Sequence, residues 1–280
     1  MPELPEVETV RRGLARIWEG GRVVKVIVRR PDLRVPLPEG FAARLEGRTI
    51  LSVNRRAKYL LAVLDDGMVL MIHLVMSGRM VIGEREPSLH DHVQILTDGP
   101  HPTGRQMVTY GDPRRFGSMT LVPGAGLEDR PPLRDLGPEP LEDTFTAEVL
   151  THRLARRQTP IKTALLDQRV VAGLGNIYVC ESLFRAGLAP DRPAGSIQGE
   201  AIQRLTLAIR EVLTEAVADG GSSLRDHVQT TGEVGRFQQR LAVYGRTGQP
   251  CPGCDCGPAG GVVRIVQAGR STFFCPRRQG

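Results

Sequence analysis

Met1-Pro2-Glu3-Leu4-Pro5-Glu6-Val7-Glu8-Thr9-Val10-Arg11-Arg12-Gly13-Leu14 opens the chain, and its spacing predicts a helix that starts almost at the first residue. Val7, Val10, Leu14 and Ile17 recur at helical spacing, so one face is apolar and seeks a core. Glu3, Glu6 and Glu8 fall in the first turns, where the helix dipole favours anions. Pro2 and Pro5 are tolerated there because the first helical amides need no intrahelical partner. A well-built amphipathic helix accounts for all of this. One chemical option goes further: removal of the initiator methionine would leave Pro2 as a secondary amine. A terminal amine has a pKa of about 8 against roughly 10.4 for lysine, so part of it is neutral near pH 7.5. A neutral amine can attack a sugar or carbonyl carbon and form an iminium, and Glu3 beside it can move protons.

The remaining composition narrows the class. A chain of 280 residues is long enough for two domains with ample core. The formal charge of +6 and a pI near 9.4 are compatible with a polyanionic partner. No apolar stretch approaches the roughly 18–20 residues that span a bilayer, and the amino terminus carries no apolar signal region, so a cytoplasmic protein is expected. Four of the five cysteines lie beyond residue 250, a grouping that suggests metal chemistry rather than a disulfide framework.

After the helix come short β-prone runs: 23–28, 50–53, 59–64, 68–74, 92–96, 106–110 and 116–122. Asp66-Gly67 between two of them is a hairpin signal. Regular strands punctuated by Gly, Pro and Asp predict a sandwich or flattened barrel. Residues 123–143 carry Pro123, Pro131, Pro132, Pro138 and Pro140 and read as a linker. Helical patterns follow at about 144–157, 162–168 and 177–184, and a longer one carries Ile202, Leu205, Ile209, Val212 and Leu213 on one face. Gly173-Leu-Gly-Asn176-Ile-Tyr permits a tight turn with outward backbone amides, suited to gripping a phosphate. Residues 220–240 are polar, Gly-rich and poorly periodic, as in a long mobile loop. The tail, Cys251-Pro-Gly-Cys254-Asp-Cys256 followed by Cys275-Pro-Arg-Arg278, suggests a zinc ribbon in which Arg278 stands where the second half-pair would place a cysteine. The expected fold class is α+β in two domains: an N-terminal helix plus β-sandwich, then a helical domain ending in a zinc-finger-like β-hairpin. The boundaries read 1–130, a linker at 131–143, 144–240, and 241–280.

Several segments now converge: the opening nonapeptide, Arg-Arg-Ala-Lys58-Tyr-Leu, His73-Leu-Val-Met76-Ser-Gly, Asp112-Pro-Arg-Arg-Phe116-Gly, Leu136-Gly-Pro-Glu-Pro-Leu, the Gly-Leu-Gly-Asn-Ile-Tyr turn and the cysteine tail. Together, in order and from end to end, they resemble the bacterial formamidopyrimidine-DNA glycosylase family, bifunctional repair enzymes for oxidised purines. The resemblance implies that Pro2 is the nucleophile at the sugar C1′ of a nucleotide rotated out of the duplex. It makes Glu3 the acid of ring opening, Lys58 the lysine of β-elimination and Arg270 the finger arginine of δ-elimination, with Glu6 a supporting carboxylate. Met76, Arg114 and Phe116 match the family's void-filling trio, which offsets the few kcal/mol of lost stacking. His90 and Arg114 match DNA-contacting positions. Asn176 matches the phosphate-gripping turn of a helix–two-turn–helix element, and the segment from Gly220 to Phe237 matches the loop that covers an oxidised purine. The implied partner is double-stranded DNA carrying an oxidised base, engaged by a monomer.

Four departures from the family pattern stand out. Val75 replaces a common glycine, a local packing change; Gln158 replaces a common lysine, with Arg156 or Arg157 to supply the charge; Cys180 replaces a small or acidic residue. The finger is the fourth. Either Cys251, Cys254, Cys256 and Cys275 bind one zinc ion in a shifted arrangement, or the site is three-cysteine or metal-free; the reading favours zinc, with the fourth ligand open because Arg278 holds its place. Two other functions compete. An endonuclease VIII-like enzyme would release oxidised pyrimidines, and Leu4 and the long purine-covering loop argue against it. A non-catalytic nucleic-acid-binding protein would use helix, basic surface and ribbon for docking alone.

Overall fold

The computed structural model describes residues 2–99, 104–222, 230, 235–256 and 260–280. The chain divides into two compact units, Met1–Arg134 with Asp219–Gln238, and Asp135–Ala218 with Gln239–Gly280.

In the first unit, α1 (Leu4–Trp18) leads to β1 (Arg22–Val28), the short α2 (Phe41–Leu45), β2 (Ile50–Arg56), β3 (Tyr59–Leu64), β4 (Met68–His73), β5 (Arg79–Ile82), β6 (Asp91–Asp98), β7 (Gln106–Gly111) and β8 (Ser118–Pro123). Two four-stranded antiparallel sheets result, ordered β1-β6-β7-β5 and β2-β3-β4-β8. Alternation along the strands sends Val26, Val93, Ile95 and Val108 from one sheet, and Val53, Leu60, Leu70 and Ile72 from the other, into a common core. The apolar stripe of α1 closes it: Val7, Val10, Leu14 and Trp18 are wholly buried, and each of the three aliphatic side chains among them contributes about 1.5–3 kcal/mol. The sandwich and the opening helix are thus as expected. The sequence reading missed β5 and α2, and it began β8 at Phe116, which lies in the preceding turn.

The second unit holds α3 (Ala147–Leu154), α4 (Ile161–Leu166), α5 (Asn176–Ala186) and α6 (Glu200–Ala218), then the hairpin of β9 (Val263–Gln267) and β10 (Arg270–Phe274). α3 is shorter than its periodicity suggested: Thr146 caps it, its Oγ1 accepting the Val149 N–H at 3.3 Å, and the left-handed backbone of Arg156 follows its end. Glu181 on α5 binds the turn ahead of the cysteines, its carboxylate accepting the N–H groups of Ala242, Val243 and Tyr244 at 2.8, 3.0 and 2.8 Å. Burial raises the Glu181 pKa, and those three amides oppose the rise. No described helix is long and apolar enough to cross a membrane. Of the segment read as a purine-covering loop, residues 223–229 and 231–234 lie outside the described residues.

Candidate functional site

Pro2, Glu3, Lys58, Met76, His90, Arg114 and Phe116 belong to the first unit, whereas Asn176, Arg270 and the cysteines belong to the second. At the head of α1, Glu3 and Glu6 are buried to within 2 % of full coverage. Glu6 spends both oxygens: Oε2 accepts the Glu3 N–H at 2.9 Å, and Oε1 accepts the Ser222 N–H at 2.7 Å and its hydroxyl at 3.2 Å. One carboxylate therefore links the residue after Pro2 to a segment more than two hundred positions away. Gly221 makes that approach possible, because a Cβ there would come 2.8 Å from Glu6 Oε1 and its φ is +81°.

Lys58 is buried in the turn between β2 and β3, after Ala57 with φ +52°. Arg55 Nε donates to Glu8 Oε2 at 3.2 Å and Arg55 Nη1 to the Ala57 carbonyl at 2.9 Å, so α1 and the Lys58 turn are pinned together. Glu8 is pulled two ways, upward by burial and downward by Arg11, Arg12 and Arg55, and ends below the usual carboxylate range. Sequence reasoning missed His73, which stacks edge-on against Tyr59 at 4.5 Å and takes the Val75 N–H on Nδ1 at 3.1 Å. Burial, with the Lys58 charge behind it, lowers the His73 pKa to about 4, so the imidazole is neutral beside the lysine. The one signal for it was its place at the head of the Met76 motif.

Met76 and Phe116, each 37 % exposed, project from two neighbouring turns. Arg114 lies over the Phe116 ring, 4.7 Å from its centroid. His90 is half-buried, and its carbonyl accepts the Asp112 N–H at 2.9 Å. Val75 has φ +53°, a left-handed conformation that β-branched residues resist. The departure from glycine at that position thus sets a β-branched side chain on a left-handed backbone.

In the second unit, Asn176 starts α5 and donates from Nδ2 to the Ser271 carbonyl at 2.8 Å, with the Tyr244 hydroxyl at 3.5 Å. Its Oδ1 is buried without a donor among the described residues. Lys162, also missed, is wholly buried on α4, its Nζ 3.5 Å from the same Ser271 carbonyl. Burial lowers its pKa; Cys180 works against that, and the charge of Arg270 adds to it. An amide, an ammonium, a guanidinium and a helix N-terminus thus gather at the root of the β9–β10 turn, an arrangement that suits an anion.

Cys251, Cys254, Cys256 and Cys275 bring their sulfurs within 4.8 Å of one another. Neighbouring pairs are 3.0, 3.5 and 3.7 Å apart, close to the ~3.8 Å edge of a tetrahedron with metal–sulfur bonds of about 2.3 Å. The Cys251 N–H reaches Cys256 Sγ at 3.2 Å, and that bond leads the effects that bring the Cys256 thiol down to about 7. The quartet could hold one metal ion. The expectation that Arg278 leaves a ligand position open is corrected, because Cys256 completes the set. Arg278 lies outside it, its guanidinium over the Phe184 ring at 4.7 Å and Nη1 donating to the Pro252 carbonyl at 3.2 Å.

Family models described as the formamidopyrimidine-DNA glycosylase N-terminal domain and H2TH domain match residues 1–119 and 136–228. A formamidopyrimidine-DNA glycosylase of Rhodospirillum rubrum is 57 % identical over 285 residues, covering all of both chains. The crystal structure of the MutM (Fpg) protein from Thermus thermophilus superposes with a TM-score of 0.86 at 44 % identity, covering 100 % of this chain and 99 % of that one. The Lactococcus lactis Fpg in complex with DNA containing an abasic site gives 0.88 at 34 % identity over 99 % of each chain.

Proposed function

The chain belongs to the formamidopyrimidine-DNA glycosylase family, and from that premise we propose that it is a DNA glycosylase and AP lyase of base excision repair that removes oxidised purines from double-stranded DNA. The observation that carries the reading is the amino-terminal turn, where Pro2 leads directly into a buried Glu3–Glu6 pair. The Pro2 amine, freed by loss of Met1, attacks C1′ of the flipped nucleotide; the bond from C1′ to the base breaks, and the base departs with its electron pair and takes up the proton that the amine loses. Glu3 protonates O4′ as the C1′–O4′ bond breaks, and the nitrogen lone pair closes the iminium on Pro2. Lys58, beside a neutral His73, serves β-elimination, and Arg270 serves δ-elimination. Met76, Arg114 and Phe116 fill the vacated stack, with His90 on the DNA backbone. Asn176 grips a phosphate at the head of α5.

Zinc is the ion proposed for Cys251, Cys254, Cys256 and Cys275, where it would hold the finger that presents Arg270. The functional partition proposed is a catalytic sandwich at 1–130, a linker at 131–143, a helix–two-turn–helix domain at 144–240 and a finger at 241–280, acting as a cytoplasmic monomer. Borohydride trapping on a duplex carrying 8-oxoguanine tests the nucleophile: wild type forms a covalent adduct and Pro2→Gly does not. Equal trapping by the two would overturn the assignment. Preferential release of thymine glycol over 8-oxoguanine would overturn the substrate class.

A further inference from the structure

We propose that Asp112 and Ser77 are positioning residues that lock the Met76 turn to the Arg114–Phe116 turn, so that the side chains entering the duplex move as one wedge. The inference rests on the reading of those three side chains as void fillers.

Sheet topology brings the two turns together. The links β4–β5 and β7–β8 each step from one sheet to the other, and β4 pairs with β8 while β5 pairs with β7. His73 faces Ser118 and Arg79 faces Gly111, so the two crossings run side by side. Asp112, wholly buried, uses every polar atom it has to stitch them. Oδ1 accepts the Ser77 hydroxyl of the neighbouring crossing at 2.5 Å. Oδ2 accepts the Gly117 N–H at 2.8 Å and the Tyr110 hydroxyl at 3.0 Å. Its own N–H donates to the His90 carbonyl at 2.9 Å, and its carbonyl accepts the Arg115 N–H at 3.1 Å and meets His92 Nε2 at 2.8 Å. Ser77 Oγ in turn accepts the Arg114 N–H at 3.2 Å.

The backbone is thereby held on both sides of Arg114 and Phe116, and Ser77 carries the restraint to the residue after Met76. There is no slack in the assembly: a Cβ on Gly117 would come within 2.0 Å of the Tyr110 oxygen. Burial and the Asp112 charge push the Tyr110 phenol well above its ordinary pKa, so it remains a donor. A wedge of flexible side chains holds unstacked bases apart only if its base does not yield. That requirement gives a buried carboxylate a purpose beyond closing the edge of the sandwich.

Ser77→Ala removes both bonds of the Ser77 hydroxyl, to Asp112 Oδ1 and from the Arg114 N–H, and leaves the other Asp112 donors in place, so it is the variant of choice, with thermal melting to confirm folding. It is compared with wild type on a duplex containing 8-oxoguanine and on a single-stranded abasic oligonucleotide, which has no orphaned base and no void. The expected result is a loss of about 10- to 100-fold in kcat on the duplex, the scale of a misplaced catalytic geometry, with single-strand cleavage unchanged and a melting temperature lowered by only a few degrees, the cost of leaving a buried carboxylate oxygen unpaired. A 2-aminopurine opposite the lesion should show a correspondingly smaller fluorescence rise. Equal rates on the duplex, or parallel losses on both substrates, would overturn the lock. Met76→Ala and Phe116→Ala probe the underlying reading separately: if neither slows duplex excision, the void-filling role fails and the lock falls with it. If they slow it and Ser77→Ala does not, only the lock fails.

Discussion

His73 ends β4 against Tyr59 and beside Lys58, with its pKa lowered to about 4 by burial and the lysine charge. Between about pH 4 and the ordinary histidine value of about 6.5, the unfolded chain binds a proton that the folded chain excludes. Stability therefore rises with pH across that window and is lost as acid is added, by about 1–3 kcal/mol at its lower end. Thermal melts at pH 5 and pH 7.5 should show this fall in wild type and a smaller one in His73→Gln. An unchanged pH dependence would show that the imidazole is not held neutral. In the sequence His73 is a lone histidine at the end of a β-prone run and carries no spacing signal, and Val75 is legible by name, but the partners of the first and the φ of +53° of the second exist only in the folded turn.

Among the elements, strands with strict alternation or a marked turn were readable, and β3 and β4 around Asp66-Gly67 fall where the pattern put them. The four-residue β5 was not, because so short a run carries too little periodicity to stand out. Pairings such as Ser77 with Asp112 are 35 residues apart and become visible only once the order of strands in two sheets is known. At the finger, spacing revealed the cysteines, but their grouping needed coordinates: the residue at 278 drew attention, whereas Cys256 completes the quartet. Cys256→Ser should therefore lose zinc to a mild chelator that leaves wild type loaded, as elemental analysis would report; Cys180→Ser should retain it. Arg270→Ala should release the base normally yet stall after the first elimination. Gel analysis of the product ends would read this, and an unchanged gap with phosphate at both ends would exclude the arginine from the second step.

For the whole molecule, the net charge of +6 predicts electrostatic binding rather than dictating where it occurs. Affinity for duplex DNA should fall steeply with salt, with a log–log slope of about −0.9 for each phosphate neutralised. Fluorescence anisotropy across a salt series measures it, and a flat response would argue against backbone contacts. The discontinuity of the first unit has a consequence in time. Glu6 and Ser222 are bonded across 216 positions, and the residues that return to the first unit follow the helices of the second. A ribosome adding about 5–20 residues per second delivers Ser222 roughly 10–40 s after Glu6. During synthesis the amino-terminal turn thus emerges long before the segment that fastens onto it. On the role proposed for Pro2, an aminopeptidase would have that interval in which to expose the proline nitrogen before the segment closes over it.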